Sequence, residues 1–241
     1  TPDFENPADA DASNDYSLTV TASDGLNTTS QNLTVTVSDS NDESPVFTSA
    51  SSFTVAENQT AVGNLSATDA DALEAITFAI TGGADSASFT LTGSTLAFAS
   101  APDFETQQSY VVVVTASDTN ATNTTTQEIT VNLTNVNDIA PVITSSDAFS
   151  VAEGTDAVAT LTGSDAEGDS VSFSSVLAGT DAADFTLTAG GVLAFKATPN
   201  FEAPADANTN NVYSITATIT DGTNTSTQAI TCLLYTSPSP R

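Results

Sequence analysis

The chain has 241 residues, of which 30 are acidic and two basic, with no histidine and a formal charge of −28. Such a surface offers no basic patch to phosphates and no attraction to an anionic membrane face, which excludes nucleic acid and lipid headgroups as partners. A hydrophobic content of 39% in alternating patterns excludes a disordered acidic tail, so the mutual repulsion of the carboxylates asks for divalent counter-ions.

Cys232 is the single cysteine and no apolar run approaches the ~20 residues that span a bilayer, so neither disulfides nor a membrane span is expected. The chain opens in mid-pattern at Thr1-Pro2-Asp3-Phe4-Glu5 and reads as a fragment at both ends. Any membrane attachment is expected through an anchor outside this stretch.

In chain order the hydrophobic period is two throughout. Tyr16, Leu18, Val20 and Ala22 alternate with polar residues, followed by Leu33, Val35 and Val37. Short runs at Phe53/Val55, Ile76/Phe78/Ile80, Phe89/Leu91 and Leu96/Phe98 lead to Tyr110, Val112, Val114 and Ala116, and then to Ile129, Val131 and Leu133. Tyr213, Ile215, Ala217 and Ile219 repeat the pattern once more. Thr, Val and Ser fill these runs and Gly, Asn and Asp punctuate them, which is strand and turn chemistry.

Self-comparison sets the domain count. Pro2-Asp3-Phe4-Glu5 returns as Pro102-Asp103-Phe104-Glu105, 100 residues on, and as Pro199-Asn200-Phe201-Glu202, a further 97 on. About seven strands in a unit of this size indicate an all-β fold of tandem Greek-key, immunoglobulin-like β-sandwich domains. The expected division is the end of one repeat at 1–44, a complete repeat at 45–140 and a third at 141–231. Inserts at Asn6–Asp15 and Ala203–Asn211 lengthen the first and third units and read as polar loops. The Asp9, Asp11 and Asp15 side chains are an alternative cation site in the first of them. Residues 232–241 resemble a translated sequencing adapter and break the preceding strand pattern, so they are expected to lie outside the fold.

The acids recur at fixed offsets. An all-oxygen donor set in loops suits calcium, which takes six to eight oxygens, and the lack of histidine disfavours zinc and copper. Two carboxylates 4 Å apart repel by roughly 4 kcal/mol at an intermediate effective dielectric, so clustered loop acids without a cation would splay.

Five motifs in one order carry a family resemblance: Ala-Glu at Glu57 and Glu153; Asp-x-Asp at Asp69/Asp71, with Asp165/Glu167 as its copy; Asp-x-Glu at Asp103/Glu105; Ala-x-Asp at Asp118; and the linkers Asp39-Ser40-Asn41-Asp42 and Asn135-Val136-Asn137-Asp138 before Pro45 and Pro141. The set resembles the cadherin repeat, with the Asn/Thr/Ala bias of cadherin-like repeats in large bacterial surface proteins. The resemblance implies Ca2+ at each junction. The first would draw on Asp3, Glu5, Asp39, Asn41, Asp42, Asp69, Asp71 and Asp118. The second would draw on Glu57, Asp103, Glu105, Asn135, Asn137, Asp138, Asp165, Glu167 and Asp221, with Asp169 as a substitute ligand. Asp24, Glu153 and Glu202 would serve further junctions. Because Asn135 and Glu167 depart from the pattern, the second junction is expected to hold calcium more weakly.

No catalytic constellation is present, and acid pairs that recur in every repeat suit a structural site better than one active centre, so no enzyme is expected. The resemblance implies calcium-dependent cell adhesion with another copy of the chain or a cell-surface ligand, outside the cell at the plasma or outer membrane. A passive calcium-stiffened stalk is the alternative. Asp42→Ala is expected to loosen the first junction more than Asp85→Ala does.

Overall fold

A computed structural model describes residues 1–71, 75–119 and 122–236, and it separates the chain into two compact units, Thr1–Asn135 and Val136–Arg241. Strands dominate both units. The described residues contain no α-helix, only the three-residue 3-10 turns Ser86–Ser88 and Ala182–Asp184.

The first unit begins with an antiparallel hairpin, β1 (Asp15–Ser23) against β2 (Thr28–Thr36), whose register sets Tyr16 opposite Val35 and Leu18 opposite Leu33. Two strands have no second sheet to pack on, so Leu18, Val20, Leu33 and Val35 remain exposed. A whole sandwich follows: β3 (Val46–Phe47), β4 (Ser52–Ala56), β5 (Ala61–Asn64), β6 (Ala67–Thr68), β7 (Thr77–Gly82), β8 (Phe89–Thr92), β9 (Thr95–Phe98), β10 (Ser109–Ser117) and β11 (Thr124–Thr134). One sheet runs β4-β11-β10-β7, with β4 parallel to β11, and the other runs β5-β9-β8, while β3 pairs with β6. Between them lie Leu65, Phe89, Leu96, Phe98, Tyr110, Val112, Val114, Ile129, Val131 and Leu133, all buried. Phe98 meets Tyr110 edge-on at 5.0 Å, a geometry that adds about 0.5–1.5 kcal/mol beyond area burial.

The second unit repeats the plan with β12 (Val142–Ile143), β13 (Ala148–Ala152), β14 (Ala157–Thr160), β15 (Gly163–Ser164), β16 (Ser172–Phe173), β17 (Phe185–Leu187), β18 (Val192–Phe195), β19 (Val212–Thr220) and β20 (Thr225–Tyr235). Its sheets are β13-β20-β19-β16 and β14-β18-β17, with β12 paired to β15.

The expectation that residue 232 onward stands outside the fold is corrected by β20, which continues to Tyr235. Ile230, Cys232 and Leu234 all face inward and are buried, and Cys232 and Leu234 sit opposite Phe149 and Val151 of the parallel strand β13. The inward alternation does not break at Cys232, and that is why the strand runs on. Residues 237–241 of the adapter-like tail lie outside the described residues.

Asp85 is not inert. Gly83 turns the chain at φ 100°, where a Cβ would come 2.5 Å from Val112 Cα, and this close approach presses the turn onto β10. Val111 N then donates to Asp85 Oδ2 at 2.7 Å and Gln107 Nε2 donates to Asp85 Oδ1 at 3.0 Å. Gly179 (φ 107°) and Asp181 copy the device: Ser214 N donates to Asp181 Oδ2 and Ala207 N to Asp181 Oδ1, both at 2.7 Å.

The inserts are fastened rather than loosely solvated. Asn14 and Asn211 adopt φ of 63° and 64°, and their side-chain amides donate to Phe4 O at 2.9 Å and Phe201 O at 3.0 Å. Asp206 is buried and accepts from the amides of Asn210 and Asn211.

Candidate metal centres

In the first unit the linker after β2 is held by the loop after β6. Glu43 N donates to Asp71 Oδ2 at 3.0 Å, and Asp71 N donates to Asp69 Oδ1 at 3.1 Å. Pro45 is buried and ends the linker where β3 begins. This arrangement brings Glu5, Asp39 and Asp71 together, with one carboxylate oxygen from each within 4.8 Å of the others. Oxygens bound to one calcium at about 2.3–2.6 Å lie no more than about 5 Å apart, so the spacing fits such an ion.

The electrostatics agree with the geometry. Glu5 Oε1, Asp69 Oδ2 and Asp71 Oδ1 are shielded from solvent and accept no hydrogen bond, although Asp71 is only 4% exposed. Burial, followed by the carboxylates of Asp39 and Asp71, raises the Glu5 pKa above its ordinary value. Asp118, at the start of the turn between β10 and β11, is also buried. Asp3 accepts from Asn6 N at 3.0 Å, and Asp42 is exposed; neither is in the converging triad. A cavity of about 210 Å³ is lined by Asp3, Glu5, Asp42 and Glu43.

Elsewhere in this unit Glu57 is buried and accepts from Phe104 N at 2.8 Å, which ties the Ala-Glu motif to the Asp-x-Glu motif. Asp103 accepts from Thr106 Oγ1 and from the amides of Thr106 and Glu105; these bonds, the hydroxyl's first, lower its pKa against the opposing effect of burial. Glu105 and Asn135 are exposed. Asp24 caps its own hairpin by accepting from the amides of Asn27 and Leu26, which lower its pKa.

In the second unit Asp165, Glu167 and Asp169 each place an oxygen within 4.8 Å of the others. Glu167 stands where the first unit has Asp71, and its extra methylene lets Oε2 accept from Ile139 N at 2.8 Å and Asp138 N at 3.0 Å. Asp169 Oδ2 accepts from Asn137 Nδ2 at 2.8 Å, and Asp165 Oδ1 accepts from Glu167 N at 2.8 Å. Asp165 Oδ2, Glu167 Oε1 and Asp221 Oδ2 are buried without a donor. Burial raises the Asp221 pKa, but the amides of Asn224 and Thr223 outweigh it and leave the value low. Glu153 accepts from Phe201 N at 3.2 Å as Glu57 does from Phe104, and Glu202 is exposed. All these donors are hard oxygens, with no histidine in the chain and its one thiol buried in the core, so the donor set fits calcium rather than a softer metal.

Sequence reading missed Asn123 and Asn224. Asn123 Nδ2 donates to Asn41 Oδ1 at 2.9 Å and approaches Asn41 O at 3.4 Å; Asn224 Nδ2 makes the same pair to Asn137 Oδ1 at 2.6 Å and Asn137 O at 3.3 Å. Each stands a few residues after a turn aspartate, at five positions from Asp118 and three from Asp221, and the general wealth of asparagine in the turns masks that signal. Ser226 Oγ also donates to Pro141 O.

Residues 51–134 match the family model of the cadherin domain, and residues 137–232 match that of a bacterial Ig domain. Among curated proteins the chain is similar to the cadherin EGF LAG seven-pass G-type receptor 2 of Homo sapiens, with 38% identity over 128 residues. It is also similar to receptor 1 of the same name from Homo sapiens, with 36% identity over 125 residues. The alignments cover 49% and 48% of this chain and 4% of either relative, so the chain spans a small part of their length. Among solved structures, mouse cadherin-23 EC22-24 matches with a TM-score of 0.68 at 20% identity, covering 96% of this chain and 78% of that one. Extracellular cadherin domains 1-4 of protocadherin gamma B7 match with a TM-score of 0.65 at 26% identity, covering 95% of this chain and 59% of that one.

Proposed function

We propose, on the premise that this chain carries tandem cadherin-like repeats, that it binds calcium through its loop carboxylates and works outside the cell in adhesion. The observation that carries this reading is the triad of Glu5, Asp39 and Asp71. Evolution of a merely soluble loop has no reason to bring three carboxylates together and shield oxygens of Glu5 and Asp71 from every donor. A cation resolves that repulsion, and because it binds the folded arrangement and not the unfolded chain, it stabilises the fold.

Calcium would be held by Glu5, Asp39, Asp69, Asp71 and Asp118 in the first unit, with Asp3, Asn41 and Asp42 at the edge of the site. In the second unit Asn137, Asp138, Asp165, Glu167, Asp169 and Asp221 would serve, and in the first unit Glu57, Asp103, Glu105 and Asn135 are further candidate donors. Asp24, Glu153 and Glu202 are proposed to serve further junctions. Calcium modules outside cells bind with Kd of about 10⁻⁴–10⁻³ M, which suits a calcium-rich exterior.

The adhesive partner is proposed to be another copy of the chain or a cell-surface ligand. This is supported by the likeness to extracellular cadherin domains, while the bacterial Ig match over 137–232 supports a place among bacterial surface proteins. Among the described residues no helix is long and apolar enough to cross a membrane, and attachment is proposed to lie outside this stretch. Bead aggregation tests adhesion: beads coated with the chain should cluster in millimolar calcium and disperse in chelator. Beads that stay dispersed in calcium while the soluble chain still binds it would leave a calcium-stiffened spacer and remove the adhesive claim.

A further inference from the structure

The two asparagine contacts link residues 82 and 87 positions apart in sequence, so only the fold brings them together. The turns that carry them differ. Asn123 follows Asp118 by five residues, whereas Asn224 follows Asp221 by three. Each carboxamide nonetheless reaches the same two acceptors, the side-chain oxygen and the backbone oxygen of the linker asparagine. Convergence from two turn lengths on one bidentate contact argues for a selected interaction. In the first hairpin the corresponding Asn27 turns back instead and donates to Asp24 Oδ2 at 3.3 Å.

We propose that Asn123 and Asn224 are positioning residues that clasp the linkers at Asn41 and Asn137 and hold them in their cation-binding course before the ion arrives. The inference rests on the calcium reading above. Its chemical logic is that the linker carries acids yet must stay beside other acids when no cation is present. A lysine or arginine could hold it, but that charge would compete with the ion. An amide NH2 group holds the linker without changing the charge that the ion must meet. It also uses one lone pair of the Asn41 side-chain oxygen and leaves the second available. Ordering that is complete before binding does not have to be supplied by the ion, so affinity rises.

The test uses the intact 241-residue chain, with amide hydrogen exchange over 39–44 in chelator and calcorimetric calcium binding, for wild type, Asn123→Ala and Asn123→Leu. Both variants should exchange faster in the linker, bind calcium about five- to tenfold more weakly, and recover linker protection at saturating calcium. Leucine matches asparagine in size but cannot donate; protection kept by Asn123→Leu would show that packing holds the linker and would overturn the proposal. Unchanged exchange or unchanged affinity in both variants would overturn it as well. A wild-type chain that binds no calcium would instead bring down the calcium reading, and this proposal with it, whereas calcium binding equal in wild type and variants would bring down the clasp alone. Asn224→Ala and Asn224→Leu, read over 137–140, repeat the test in the second unit.

Discussion

Glu43 donates its backbone amide to the Asp71 carboxylate at 3.0 Å, so a linker residue is fastened to the same side chain that gathers Glu5 and Asp39 around it. Asp71 thus has two roles that pull in opposite directions without a cation. It anchors the linker, and it adds charge to a crowded site.

Substitution separates those roles. Asp71→Asn keeps an oxygen to accept from Glu43 while removing a charge, so in chelator it should melt at or above the wild-type temperature. In calcium it should gain much less than wild type. Asp71→Ala removes the acceptor too and leaves the Glu43 amide without its partner, which costs about 1–3 kcal/mol in chelator. Calorimetry of both variants in calcium and in chelator checks the pair of outcomes.

The Glu5 pKa yields a pH dependence. Its folded value is raised above the unfolded one by burial and by Asp39 and Asp71. A raised carboxyl stabilises the fold below its unfolded pKa and loses that contribution as pH rises through the folded pKa. In chelator, then, stability should increase as pH falls through the raised Glu5 pKa toward the ordinary glutamate value. Asp103 and Asp221 are shifted the other way, so their contribution is present above the unfolded value and is lost as pH falls further. Calcium should flatten the upper part of this profile, and Glu5→Gln should remove its slope in chelator. Thermal melts across pH with and without calcium read both effects.

Asp85 and Asp181 test the separation of scaffold from site. Asp85→Ala strips Val111 N and Gln107 Nε2 of their acceptor, so it should lower stability by about 1–3 kcal/mol while leaving calcium affinity unchanged. Glu128→Gln, on the exposed face of β11, should change neither quantity. Chemical denaturation paired with calcium titration distinguishes the two variants.

Much of this architecture could be read from the residues. The period of two at Tyr110–Ala116 and Ile129–Leu133 became β10 and β11 with their inward faces buried, and the Tyr213–Ile219 run became β19. Asp169 was legible only as a substitute two residues beyond Glu167. The repeated acids marked Asp71 and Glu167, because charge clustered at fixed offsets stands out in a sequence. Hydrogen bonds made by common residues do not. Asn123 carries no mark that separates it from dozens of similar turn residues, and the return of Asp85 as Asp181 does not tell what it holds; their roles depend on where Asn41 and Val111 arrive after folding. Cys232 shows the opposite case. Its alternation with Ile230 and Leu234 was visible, and the adapter-like composition of the tail hid it.

Burial pushes the Cys232 thiol up to about 11. At pH 8 about a thousandth of it is thiolate, and the reactive form is the thiolate. Ellman's reagent should therefore leave the native chain untouched and titrate one thiol after denaturation. Ending the chain at Thr231 should destabilise the second unit, because β13 would lose its partners from Cys232 to Tyr235.

The central claim is that the gathered carboxylates exist to hold calcium. Differential scanning calorimetry of the intact chain, in chelator and then in increasing calcium up to several millimolar, tests it most directly. With a Kd of about 10⁻⁴–10⁻³ M, binding to the native state at about 5 mM calcium stabilises by about 1–2.3 kcal/mol per site, so the account predicts a melting temperature that climbs with calcium by several degrees and returns on chelation. A melting temperature unchanged across that range would contradict it.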